Sequence, residues 1–201
     1  MNSRQIGLPV SIFVSEVLMN EKRRLLIDTA FNLFYEHGIN GVGINEILKV
    51  SGIAKKTLYS NFESKDDLVV ETLKERDTAF LAWLTSSLQN SKTNADVIQQ
   101  LFTALTKWFT NEVPELANFR GCYFIKTSGQ CSDPQSPIFQ YCVEHKQKVR
   151  ALIAAHLSNI DDVTIDQICL MKEGAIVTAY LNHDLDAAVK CIPIALKLIT
   201  P

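Results

Sequence analysis

Between Ile47 and Phe62 the chain has no aspartate or glutamate, yet it carries Lys49, Lys55, Lys56, Thr57, Tyr59, Ser60 and Asn61. These are cations, hydroxyls, a phenol and an amide, the groups that bond phosphate oxygens and base edges in duplex DNA. Leu58 and Phe62 are four apart and fall on one face of a short helix, which leaves the polar set on the other. Lysines at a helix N-terminus oppose the macrodipole and cost about 0.3–1 kcal/mol each. A phosphate arriving there would be favoured both by the lysines and by free backbone N–H groups. A helical hairpin with a solvated lysine pair has the same residue types, and composition alone leaves both readings open.

Two short helices and a tight turn must hold this face. Ile44, Ile47 and Leu48 give the first helix a buried side, and Gly52 supplies the positive φ of the turn. The second helix starts at Ala54. Ahead of them, Asn20 is the expected N-cap of a long helix over 21–37, with Leu26, Ile27, Ala30, Phe31, Leu33 and Phe34 inward and Gly38 as its left-handed cap. After them, Ser64 and Asp67 resemble a capping box that opens a long helix through Leu84.

Gly38, Ile44, Glu46, Ile47, Ser51-Gly52-Ile53-Ala54-Lys55-Lys56-Thr57-Leu58-Tyr59, Phe62 and Ser64-Lys65-Asp66-Asp67-Leu68 resemble, without a gap, the signature of the tetracycline-repressor (TetR) family, of which the AcrR-type regulators are part. The resemblance implies an all-α chain of about nine helices. It divides the chain into an N-terminal extension over 1–19, possibly disordered or a short extra helix, a helix-turn-helix DNA-binding domain over 20–80 with its motif at 43–62, and a ligand-binding and dimerisation domain over 81–201. It also implies DNA contacts from Gly43, Ile44, Ala54, Lys55, Lys56, Thr57, Tyr59, Ser60, Asn61 and Lys65. Tyr59 and Lys65 would take phosphate, and Lys55, Lys56 and Thr57 would reach base edges. The chain departs from the pattern where the family usually has Thr or Ser at Gly43, Ser at Ala54 and Gly at Lys56. The first two departures remove capping hydroxyls and the third adds charge.

The C-terminal half reads as further helices: 95–112 capped by Asn94 and stopped at Pro114, a short one near Cys122, 137–158, 165–181 and 185–199. In the third of these, Phe139, Val143, Val149, Leu152, Ile153 and Leu157 are expected inward and His145, Lys146, Lys148 and Arg150 partly outward. The aromatics of this half suffice for an apolar effector pocket, with Trp83, Trp108, Phe109, Phe119, Cys122, Tyr123, Phe124 and Phe139 as its candidate lining. Arg120-Gly121-Cys122-x-Phe124-Ile125 resembles one subgroup of the family. It also places a thiol two residues after a cation at a helix start, where thiols turn nucleophilic. A sensor of oxidants or electrophiles and a small residue in a cavity wall are both open readings of Cys122.

The 201 residues are 47% hydrophobic and carry a net charge of −2, enough for a sizeable core but with no global basic field. Any nucleic-acid contact must therefore be local. Five scattered cysteines form neither a disulfide framework nor a zinc site and suit a reducing cytoplasm. His37, His145, His156 and His183 share no metal-ligand spacing, and no catalytic, Walker or dinucleotide motif occurs. No cofactor, metal, catalytic residue or membrane partner is expected. The expected partners are an operator duplex, a small-molecule effector and a second copy of the chain, through two apolar C-terminal helices. A helical binding protein without operator recognition and an enzyme built on the C-terminal half are the rival classes.

Overall fold

The computed structural model describes residues 10–199. They form nine α-helices and one 3-10 turn at Pro114–Leu116, with no strand among the described residues. The chain divides into two compact units, Met1–Thr72 and Leu73–Pro201.

In the first unit, α1 (Val10–His37) starts well before Asn20, so Asn20 lies inside a helix rather than capping one. No glycine or proline interrupts the chain between Pro9 and Gly38, so nothing local stops the helix from extending. The first nine residues of the expected extension lie outside the described residues. Leu26, Ile27, Ala30 and Phe34 are fully buried, and Phe31 and Leu33 half-buried. Gly38 takes φ +80° and its N–H donates to Phe34 O at 2.9 Å, which closes α1. Helices α2 (Ile44–Ser51) and α3 (Lys55–Asn61) pack on α1. Ile47, Leu58 and Phe62 are buried there, and truncating Leu58 to Ala would cost about 2–5 kcal/mol. Helix α4 (Lys65–Leu88) crosses the division between the units. The Asp67 N–H donates to Ser64 Oγ at 3.1 Å, and the Asp67 carboxylate accepts from the Glu63 N–H, one residue before the position that a capping box would use.

The second unit is built around α5 (Asn94–Phe109), where Val97, Ile98, Leu101, Phe102, Leu105, Trp108 and Phe109 are all buried. That breadth of apolar arc needs neighbours on several sides. α5 packs against α8 (Asp162–Asn182) and α9 (Ala187–Leu198), while α6 (Tyr123–Ser128) and α7 (Pro137–His156) form a second pair. Thr93, not Asn94, caps α5, in a reciprocal box with Asp96. Asn94 is instead spent on a long-range tie, with its amide group exchanging two bonds of 2.9 Å with the backbone of Ser158. α7 also departs from expectation, because His145 is 2% exposed whereas Val143 is 37% exposed.

Candidate nucleic-acid interface and interior chamber

Gly52 takes φ +68° and its N–H donates to Leu48 O at 3.0 Å, which ends α2 and turns the chain. The Ser51 hydroxyl accepts the Ile53 N–H at 3.3 Å and stiffens the same turn. α3 is seven residues long, and the burial of Leu58 on α1 fixes its rotation. Lys55, Lys56 and Tyr59 are consequently exposed and Thr57 half-exposed. Tyr59 leaves 47% of its surface open, and Lys55 Nζ lies 5.9 Å from the centre of its ring. Ser60 Oγ and Asn61 Nδ2 both donate back to Thr57 O, at 2.8 and 2.7 Å, so their donors are spent within the helix. The Asn61 carbonyl and the Ser60 oxygen, which also accepts from Asn61 Nδ2 at 3.5 Å, are the acceptors that this pair keeps.

Neither helix start has a side-chain cap. Gly43 before α2 and Ala54 before α3 are both extended and exposed, and the first-turn N–H groups face no hydroxyl of their own. Ile44 is half-exposed beside Gly43. Lys65, at the start of α4, is half-buried with its ammonium 5.9 Å from the centre of the Phe34 ring. Arg23 pairs with Glu71 and lies over Phe62 at 5.2 Å, which braces α1 against the end of α3.

The second unit encloses a chamber lined by Arg76, Phe80, Trp108, Cys122, Tyr123, Phe124, His145, Lys146, Lys172 and Ile176. Of the expected aromatic lining, only Trp108, Tyr123 and Phe124 reach it, together with Cys122. Phe119 packs outside it, 4.9 Å from Trp108 and 4.7 Å from Phe109, and Trp83 lies 6.2 Å from Trp108. Phe139 is half-buried near the start of α7 and does not line the chamber. The free space is only about 10 Å³, barely room for one water.

The polar contacts made by His145, Lys146 and Lys172 of the chamber wall were not expected from the sequence. Asp77 on α4 accepts from His145 Nδ1 at 2.7 Å, from Lys148 Nζ at 3.0 Å and from Tyr141 Oη at 3.2 Å. Burial pushes the Asp77 carboxyl up, but the bonds from His145 and Lys148 outweigh it and hold it below its ordinary range. Burial dominates for His145 and lowers it to about 4, so the imidazole is neutral at pH 7. Its ring stacks on Phe124 at 3.4 Å between centroids. Lys146 and Lys172 share the Glu173 carboxylate, and Lys146 also donates to Cys122 Sγ at 3.3 Å. A cation does meet the thiol, and it is a lysine of α7 not expected there from the sequence. Glu173 resists burial and sits at about 2 because two ammoniums face it. Apart from the sequence neighbours Lys172 and Glu173, the hydrogen-bonded partners lie 24 to 71 residues apart along the chain, and those contacts carry no local signal.

A family model described as bacterial regulatory proteins, tetR family, matches residues 26–72. The repressor NemR of Escherichia coli (strain K12) is 25% identical over 140 residues, covering 70% of this chain and 69% of that protein. The fatty acid metabolism regulator protein of Bacillus subtilis (strain 168) is 23% identical over 151 residues, covering 74% and 70%. Among solved structures, SCO4454, a TetR-family transcriptional regulator of Streptomyces coelicolor, superposes with a TM-score of 0.78 at 23% identity, covering 89% and 94%. The reduced form of E. coli NemR gives 0.72 at 21%, covering 90% and 97%.

Proposed function

Because the chain belongs to the TetR family of bacterial regulatory proteins, we propose that it is an operator-binding repressor, released by a small molecule held in the second unit. The observation that carries this reading is α3 itself. Leu58 is buried on α1 while Lys55, Lys56, Thr57 and Tyr59 project from the other side. A short helix so presented fits a major groove. Lys55, Lys56 and Thr57 read base edges. Tyr59, Lys65 and the N–H groups at Gly43, Ile44 and Ala54 hold phosphates, and the Asn61 carbonyl and Ser60 hydroxyl complete the face.

Two copies act together on a palindromic operator. Supporting this is an apolar stripe along α8 and α9 that the described residues leave exposed. Val163, Leu170, Val177 and Leu181 are 66, 70, 47 and 66% exposed and recur at intervals of seven and four, with Ile194 on α9 56% exposed. Uncovered apolar stripes of this kind mark association faces. Effector action follows from differential affinity, since a ligand that binds one arrangement of α4 better than another shifts the protein toward it. Arg76 and Phe80 of the chamber wall belong to α4, which is unbroken from Lys65 to Leu88. Such a regulator works in the cytoplasm and catalyses no reaction. No helix among the described residues is long and apolar enough to cross a membrane.

The direct test is fluorescence anisotropy with duplex DNA from upstream of the protein's own gene, against random competitor. Preferential binding that is lost in Tyr59→Ala and Thr57→Ala, with the dimer intact, is the expected result. Equal binding to both duplexes at moderate salt would leave the rival reading, a helical binding protein without operator recognition.

One contact favours a second reading, in which Cys122 senses oxidants or electrophiles. The Cys122 sulfur is half-exposed, within reach of a solvent-borne reagent, and accepts a hydrogen bond from the Lys146 ammonium at 3.3 Å. Burial instead pushes Cys142 up to about 12 and keeps it inert. Mass spectrometry after mild quinone treatment should find Cys122 modified. An unmodified Cys122, together with normal induction in Cys122→Ser, eliminates the sensor.

A further inference from the structure

We infer that the chamber accepts a monocarboxylate with an apolar body, its acid group bound between Lys146, Lys172 and the indole N–H of Trp108. The inference rests on the regulator reading only in calling this ligand the effector. The first support is charge. Lys172 has a side chain only 3% exposed and Lys146 one 26% exposed, and they share a single carboxylate, Glu173. Two ammoniums share one carboxylate and the guanidinium of Arg76 lines the same chamber, so cations outnumber carboxylates at this partly desolvated site. Asp77 does not offset this excess, because its carboxylate is spent on Lys148, His145 and Tyr141. Excess buried charge is costly, so such a site favours a second anion.

The second support is an orphaned donor. Trp108 is 2% exposed and its Nε1 lies buried without a hydrogen-bond partner. A buried N–H left unpaired costs about 1–3 kcal/mol, which an arriving acceptor recovers. Trp108 and both lysines line the same chamber. The rest of the wall is mainly apolar, with Phe80, Tyr123, Phe124 and Ile176, and His145 is flattened against Phe124, while the buried Arg76 adds a guanidinium 5.7 Å from the centre of the Trp108 ring. Donors and cations on one side and rings on the other suit an amphipathic acid rather than a sugar, a metal or a cationic drug.

The small free space makes the site closed at rest. Entry of a ligand must displace a wall, and two wall residues, Arg76 and Phe80, belong to α4. Displacing that wall moves α4 at Arg76 and Phe80.

Calorimetry and tryptophan fluorescence on the full chain test this with benzoate, phenylacetate and hexanoate, each beside its uncharged amide. At least one carboxylate should bind with a Kd below about 1 mM, with its amide at least about tenfold weaker. Lys172→Met should weaken the carboxylate about 10- to 100-fold and leave the amide unchanged. That variant keeps Glu173 paired to Lys146, so no carboxylate is stranded. Trp108→Phe, which removes the N–H and keeps the ring, should weaken the carboxylate about tenfold. Equal binding of acid and amide, no binding of any acid, or an unchanged affinity in Lys172→Met overturns the inference. A protein that binds its operator but no carboxylate refutes this inference alone. One that binds carboxylate but no duplex refutes the regulator reading alone.

Discussion

Gly43→Ser puts back the hydroxyl that the chain lacks at the start of α2, and its effect can be worked out in advance. Gly43 sits at φ −93° and ψ 160°, an extended conformation open to any L-residue. A Cβ built there meets nothing within 4 Å, so the substitution carries no steric cost. α2 has no side-chain cap at present. A serine cap is worth a few tenths of a kcal/mol over glycine, and loss of glycine's freedom in the unfolded chain adds about 0.4–1 kcal/mol. The sum is about 1 kcal/mol, or a rise of about 2–4 °C in Tm for a chain of this size. Urea unfolding followed by circular dichroism should show a higher midpoint at unchanged slope. The hydroxyl also adds one neutral contact to phosphate. Operator affinity should then rise about fivefold, while its salt dependence stays the same because no charge was added. A stabilised variant with unchanged or weaker operator binding would show that this helix end does not face the DNA backbone. A destabilised variant would refute the local geometry itself.

Other perturbations follow from the same structure. Ala54→Ser at the start of α3 supplies the other missing cap and should stabilise by about 1 kcal/mol in the same urea assay. Lys65→Ala should weaken binding to all duplexes alike and reduce the slope of log K against log salt by about 0.9, and an unchanged slope removes Lys65 from the phosphate contacts. Stability should fall as pH drops from about 6.5 toward 4, because the unfolded chain takes up a proton at His145 that the folded chain, with this group at about 4, refuses. The span corresponds to about 3 kcal/mol, and His145→Asn, which keeps a donor toward Asp77, should flatten the dependence measured by urea titration. Leu170→Glu, on a side chain 70% exposed, should leave the fold intact and yield monomers in analytical ultracentrifugation. A variant that still sediments as a dimer moves the association face elsewhere.

How far the sequence reaches differs between the two units. Gly38 and Gly52 end α1 and α2 as expected, since a positive φ is a property of the residue itself. Leu58, four residues before Phe62, fixes which side of α3 is hidden, so the exposed polar set could be read by counting along a helix. The start of α1 was misread because a capping residue is only a preference, and the uninterrupted chain ahead of it continues the helix. Thr93 took the cap expected of Asn94 because Asp96 could answer it, while a loop 64 residues away claimed the amide.

The chamber shows the limit more sharply. His145 lies between Glu144 and Lys146 in a stretch that looks solvated, and it is buried only because Asp77 and Phe124 arrive from two other helices. Lys172 is likewise a single cation within an apolar helix until Lys146 and Glu173 define what it does. By itself the sequence determined the turn chemistry, the helical periods and the exposed polar face of α3, because each depends on neighbours within a helical turn or two. Which charges share a carboxylate, which indole is left without an acceptor and which thiol meets an ammonium were decided by tertiary packing alone. Apart from the neighbours Lys172 and Glu173, those contacts join residues tens of positions apart, and their energies exist only once burial has removed the water between them.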